Sequence, residues 1–141
     1  MDKGGMAMDS NFIQQAAAIP VRSGRVCLVT SRSGKRWVVP KGCLEPDKTA
    51  AEIALMEAWE EAGLIGVLDQ EPVGSYLYEK SGNTYQVTVF LMQVTRMARD
   101  WPEADERQRI WVAEETAHEQ VEPHGLQKVL RSVLNSCVGV S

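Results

Sequence analysis

No stretch of the chain approaches the roughly 20 consecutive apolar residues that cross a bilayer, so neither a spanning helix nor a membrane partner is expected. Cysteine is scarce and badly placed for structural work. Cys27, Cys43 and Cys137 are odd in number, scattered along the chain, and never at C-x-x-C spacing. That excludes a disulfide scaffold, and with His118 and His124 as the sole histidines there is little material for a zinc site. Reduced thiols in a cytoplasmic protein are the expectation. Positive charge is not in excess either. The formal net charge of −4 argues against a nucleic-acid partner, although a pocket inside an acidic protein can be locally basic. Repeats and low-complexity tracts are absent outside the first residues. Met1 to Ser10 lack the apolar core of a secretory signal; with three methionines and two glycines they read as a disordered leader over residues 1–10. Residues 11–137 suit one domain, because two cores cut from 141 residues would each be small.

What is present alternates between two periods. Phe12 to Arg22, Arg25 to Thr30 and Arg36 to Val39 read as strands separated by the turns Ser23-Gly24 and Ser33-Gly34. Lys41 to Lys48 reads as a loop. A helix follows, opened by Thr49 with Glu52 three residues on, a capping box, and closed by Gly63. Gly66 to Glu79 and Thr84 to Thr95 read as strands around the turn Lys80 to Asn83, and Arg96 to Arg107 as a charged connection. Arg109 to Val112 is a short strand. Glu114 to Gln120 and Leu126 to Leu134 are helical, the latter with Leu126, Val129, Leu130, Val133 and Leu134 on one face. The order β-β-β-α-β-β-β-α predicts an α/β fold with a mixed sheet packed against helices.

The segment from Pro40 to Gly63 carries the chemistry. At about 100° per residue, Glu60 and Glu61 follow Glu57 onto one side of the helix, while Ala51, Leu55, Ala58, Trp59 and Ala62 are expected to face the core. Like charges at this spacing repel, so three crowded carboxylates need open water or a cation. Hard divalent ions prefer carboxylate oxygen, and magnesium commonly bridges to phosphate. Gly42 lets backbone approach such an ion closely. On spacing alone, a solvated acidic face accounts for the glutamates more simply.

The larger pattern changes that balance. Gly42, Glu57, Glu60, Glu61 and Gly63 match the spacing of the Nudix box, G-x5-E-x7-R-E-U-x-E-E-x-G-U with U a bulky aliphatic residue; here it runs from Gly42 to Leu64. The chain resembles the Nudix hydrolase family over nearly all of residues 12–135. It departs from the box at Lys48 for Glu, Met56 for Arg and Ala58 for a larger aliphatic residue. The first two replace a supporting ion pair together, leaving no orphan charge, and Lys48 is free to pair with Glu52. Within the family, Arg36 to Pro40, Leu44-Glu45-Pro46, Ala62 to Gly66, Asp100-Trp101 and Arg107 to Trp111 are similar to the diphosphoinositol polyphosphate phosphohydrolases, members of which also cleave diadenosine polyphosphates. Pro40-Lys41-Gly42 is similar to diadenosine tetraphosphatases.

The resemblance implies an α/β/α sandwich and a Mg²⁺-dependent (or Mn²⁺-dependent) hydrolase acting on a phosphoanhydride of a small phosphorylated metabolite. Glu57, Glu60 and Glu61 would hold the metal with backbone at Lys41 or Gly42, and Glu60 or Glu61 would act as base toward water. Substrate phosphates would meet Arg22, Arg36, Lys41, Gly42, Arg107 and Arg109, with Arg32 and Lys35 as further candidates. Trp37, Trp59 and Trp111 are expected in packing; Trp101 is either a lid or a loop anchor. Both histidines are expected at the surface. Monomer and homodimer stay open. The rival readings are a Nudix-fold nucleotide-binding or sensor module with weak or no turnover, motivated by Lys48 and Met56, and a scaffold with a chance acidic face.

Overall fold

The computed structural model describes residues 11–140, with side chains through residue 134. The expected leader, residues 1–10, and the Cys137 side chain lie outside the described residues. The chain runs β1 (Ile13–Arg22), β2 (Arg25–Thr30), β3 (Trp37–Val38), β4 (Lys41–Cys43), α1 (Ala50–Ala62), β5 (Leu64–Leu68), β6 (Gly74–Lys80), β7 (Asn83–Met97), β8 (Arg109–Ala113), a 3-10 segment (Glu114–Glu119) and α2 (His124–Val140). Among the described residues no helix is long and apolar enough to cross a membrane.

The eight strands form one mixed sheet. Its spine is β3-β2-β1-β7-β5, with β4 on β1, β6 on β7 and β8 on β2. β1 and β7 run parallel from Ile13 opposite Tyr85 to Val21 opposite Gln93. β1 is covered on both faces, so its apolar residues run on without alternation. Pro20 is tolerated there because β1 pairs β4 at residues 15–17 and β2 only from Val21, leaving Pro20 between the two ladders. Period two then sorts the core. Ala17, Ile19, Val87 and Val89 face Leu126, Leu130 and Leu134 of α2. Ala16, Ala18, Phe90 and Met92 face Ile53, Ala54, Ala58 and Ala62 of α1. The result is the expected α/β/α sandwich.

Three readings of the sequence are corrected. Lys41 to Cys43, expected as loop, form β4 against β1. The single strand expected over Gly66 to Glu79 is two, because β7 is long enough to take β6 along residues 83–89 and β5 along residues 92–97. The break falls at Asp69 to Pro72, bridged by Asp69 N–H to the Leu91 carbonyl and Val73 N–H to the Val89 carbonyl. The buried side of α1 is only partly the one expected: Ala58 and Ala62 are buried as read, but so are Ile53, Ala54 and Glu61, while Trp59 is 37% exposed. The helix is rolled so that a glutamate, not the tryptophan, turns inward.

Both helix caps are as the sequence reads. Thr49 Oγ1 accepts from Glu52 N–H at 3.1 Å, and the Glu52 carboxylate accepts from Thr49 N–H at 2.8 Å. This cap occupies Glu52, so Lys48 pairs instead with Glu45 at 3.6 Å and Asp47 at 3.7 Å. Gly63 ends α1 at φ +67°, the left-handed conformation that a side chain disfavours.

Candidate active site

A cavity of about 760 Å³ opens where the start of β1, strand β4 and the last turns of α1 converge. α1 contributes Glu57, Glu60 and Glu61; β4 contributes Lys41, Gly42 and Cys43; the β2–β3 turn contributes Arg32 and Arg36. The β6–β7 hairpin adds Tyr78, Lys80 and Tyr85, and the connection after β7 adds Glu103 and Arg107.

Two carboxylates at the α1 wall are coupled. Glu57 and Glu61, one helical turn apart, share a hydrogen bond. Glu61 is 5% exposed. Burial pushes its carboxyl up to about 8, Arg107 opposes the shift, and the hydrogen bond that Glu61 donates to Glu57 adds to it. Burial also raises Glu57, which Glu60 and Glu103 reinforce by like charge. Both shifts favour the protonated form of the pair. Burial lowers the Lys41 ammonium, and the Glu61 charge pulls it back.

The opposite wall is aromatic and basic. Tyr78 and Tyr85 sit across from one another in the hairpin and stack at 4.8 Å with planes 8° apart. The Tyr78 hydroxyl donates to Gln15 Oε1 at 2.8 Å, and Lys41 Nζ lies 5.2 Å from the Tyr78 ring centroid. This stacked pair went unflagged in the sequence, although the two tyrosines are symmetric about Ser81-Gly82.

Whether these residues suit a divalent ion is a question of donor chemistry. Among the described residues no three acidic, histidine or cysteine side chains already stand as a ligand cluster. Glu57 and Glu61 turn toward each other instead. Their chemistry nonetheless fits: two half-buried to buried carboxylates carry a charge that burial disfavours, and a cation would relieve it. Gly42 fits too, since a Cβ added there would fall on the Glu57 carboxylate. Only a glycine lets strand β4 lie against that group.

The other candidate residues divide. Arg36, Lys41, Gly42 and Arg107 line the cavity. Arg32 does as well, paired with Glu106 at 3.1 Å. Arg22 does not. It is exposed at the far end of β1, seven residues from Gln15, roughly 23 Å along an extended strand. Arg109 is also outside the cavity. Its guanidinium donates to the Ala62 and Ala98 carbonyls, each at 2.6 Å, and stacks 4.1 Å from the Trp101 ring. Trp101 Nε1 donates to the Glu61 carbonyl at 2.9 Å. Together they satisfy carbonyls that the end of α1 leaves without helical partners, so Trp101 is an anchor and Arg109 a clamp. Cys27 is buried, and burial pushes its thiol up to about 12, which leaves it unreactive.

The NUDIX domain model matches residues 13–133. Nudix hydrolase 4 of Arabidopsis thaliana is 32% identical over 124 residues, an alignment covering 86% of this chain and 59% of that protein. Diphosphoinositol polyphosphate phosphohydrolase 3-beta of Bos taurus is 32% identical over 130 residues, covering 84% of this chain and 78% of the relative. Among solved structures, the Ap4A hydrolase of C. elegans superposes with a TM-score of 0.69 at 19% identity, covering 90% of this chain and 98% of that one. A NUDIX hydrolase from Nitrosomonas europaea gives 0.71 at 19% identity, covering 86% and 88%. At such identity the structural likeness speaks to the fold alone.

Proposed function

The chain belongs to the NUDIX family, and on that premise we propose that it is a divalent-metal-dependent hydrolase of phosphoanhydride bonds, with Mg²⁺ as the metal and Mn²⁺ able to replace it. The substrate class is a diphosphoinositol polyphosphate or a diadenosine polyphosphate. The observation that carries this reading is the coupled Glu57–Glu61 pair in a cavity whose other sides bear Arg36, Lys41 and Lys80.

Glu57 and Glu61 would hold the metal, with Glu60 on the same wall and Gly42 leaving backbone room beside Glu57. When bound, the ion supplies Lewis acidity toward phosphoryl oxygens and makes water at the site more acidic. The remaining work is done by side chains. Arg36 offers a planar fork to a phosphate, and Lys41 and Lys80 offer point charges. Glu60 or Glu61 takes the proton of the attacking water, and in-line displacement expels a phosphorylated leaving group. The stacked Tyr78–Tyr85 pair adds an aromatic surface to which a nucleobase can stack, which favours the dinucleotide of the two substrates.

The test is product release from inositol pyrophosphates, diadenosine tetra- to hexaphosphate, ADP-ribose and nucleoside triphosphates with Mg²⁺. Turnover of either of the first two, abolished by chelation, supports the reading. Turnover of ADP-ribose alone overturns the substrate class. Tight binding with no turnover across the panel favours the sensor module, the reading that Met56 and Lys48 motivate.

A further inference from the structure

Helix α1 bears Glu52, Glu57, Glu60 and Glu61 but no lysine or arginine, and position 56, beside Glu57, is methionine. Any fixed positive charge facing Glu61 must therefore come from another element. The larger comes from the connection between β7 and β8, and Lys41 of β4 adds a smaller one. The Arg107 side chain is 8% exposed. Its Nε donates to Glu103 Oε1 at 2.7 Å, its Nη1 donates to the Thr30 carbonyl at 2.9 Å, and its Nη2 stands 3.7 Å from Glu61 Oε2.

We propose that Arg107 is a positioning residue for the metal ligand Glu61, the fixed cation that α1 itself lacks. Two features set its geometry before any ligand arrives. Its first two bonds hold the guanidinium plane, leaving Nη2 aimed at Glu61. The segment carrying it is docked on the same helix by main chain, since Glu103 N–H donates to the Glu60 carbonyl at 3.0 Å and Arg107 N–H to the Glu103 carbonyl at 3.1 Å. The same commitments count against a phosphate-gripping role. A guanidinium already spent on Thr30 and Glu103 has little left for the bidentate hold that makes arginine a phosphate ligand. Arg36 and Lys80 line the same cavity and suit that task better.

The proposal rests on the metal-dependent reading above, and binding of Mn²⁺ alone separates the two. Free Mn²⁺ is followed by paramagnetic resonance during titration of the wild type, Arg107→Gln and Arg107→Lys, with thermal unfolding as the check on folding. Loss of an orienting partner should weaken Mn²⁺ binding on the order of tenfold in Arg107→Gln. Arg107→Lys should weaken it about threefold, because lysine keeps the charge but holds one partner at a time. Charge balance alone predicts the opposite sign, since removing a cation near the site favours a divalent ion. Unchanged or tighter Mn²⁺ binding by a folded Arg107→Gln protein overturns the proposal. Should Arg107→Gln fail to fold, Arg107→Lys is read with the same signs. A wild type that shows no saturable Mn²⁺ binding overturns the metal-dependent reading and this inference with it; a wild type that binds, with variants unaltered, overturns the inference alone.

Discussion

Against α2 the sheet packs Ile19, Leu28, Val87 and Val89 onto Leu126, Leu130 and Leu134; against α1 much of the contact is alanine, Ala16 and Ala18 meeting Ala54, Ala58 and Ala62. The first face buries large side chains and so contributes more apolar area. The second brings helix and sheet close. Closeness is what lets the Glu57 carboxylate lie against the backbone at Gly42 and what takes Glu61 out of water. One layer is built for stability and the other for holding costly charge beside a strand. The arginines at 107 and 109 repeat the contrast on a smaller scale. Both reach α1. One meets a carboxylate in the cavity; the other secures main-chain carbonyls.

The largest effect expected from this division is on turnover. Glu57→Gln and Glu61→Gln should each lower kcat on the order of 10³-fold, about 4 kcal/mol in the barrier, while the proteins remain folded. Leu130→Ala should do the reverse, lowering unfolding stability by about 3 kcal/mol in denaturant titration and leaving the activity of the folded fraction intact. If Leu130→Ala cut kcat as deeply as the glutamate variants, the two layers would not be separate in function. Arg109→Gln should cost about 2 kcal/mol of stability by stranding the Ala62 carbonyl at the end of α1 and the Ala98 carbonyl after β7. Its KM should stay within about twofold of wild type, whereas a phosphate ligand would raise it.

A smaller effect appears in pH dependence without metal. The Glu61 carboxyl rises from an ordinary 4.5 to about 8 through burial, so the folded state holds that proton more tightly than the unfolded chain. Its contribution is complete below the unfolded value and is lost as pH rises through about 8. The melting temperature of Glu61→Gln should accordingly fall less than that of wild type between about pH 5 and pH 9. Least affected of all should be Arg22→Ala, at the far end of β1, with kcat and KM unchanged.

Sequence spacing carried the family, the α1 boundaries and the acidic wall, because the capping box, Gly63 and the glutamate periodicity are local signals. The roll of α1 was hidden. With alanine at 51, 54, 58 and 62, small residues lie around much of the helix and leave several faces equally fit to be buried, so Trp59 was drawn inward and Glu61 outward. The break at Asp69 to Pro72 was signalled by proline but masked by the apolar residues on either side. Which arginines meet the cavity depends on register: Arg22 and Gln15 lie in one strand, yet β4 pairs only with its first half. Glu103 and Arg107, spaced i and i+4, could have been read as a pair, but their approach to Glu61 is a tertiary contact with no local mark.

The central claim is that a divalent ion enters at the Glu57–Glu61 pair and displaces the proton held there. Calorimetric titration of Mg²⁺ near pH 7, repeated in buffers of different ionisation enthalpy, counts that proton directly. The account predicts release of about one proton per ion, affinity rising as pH climbs toward about 8, and loss of the release in Glu61→Gln. Saturable binding without proton release, or release undiminished in Glu61→Gln, would contradict it.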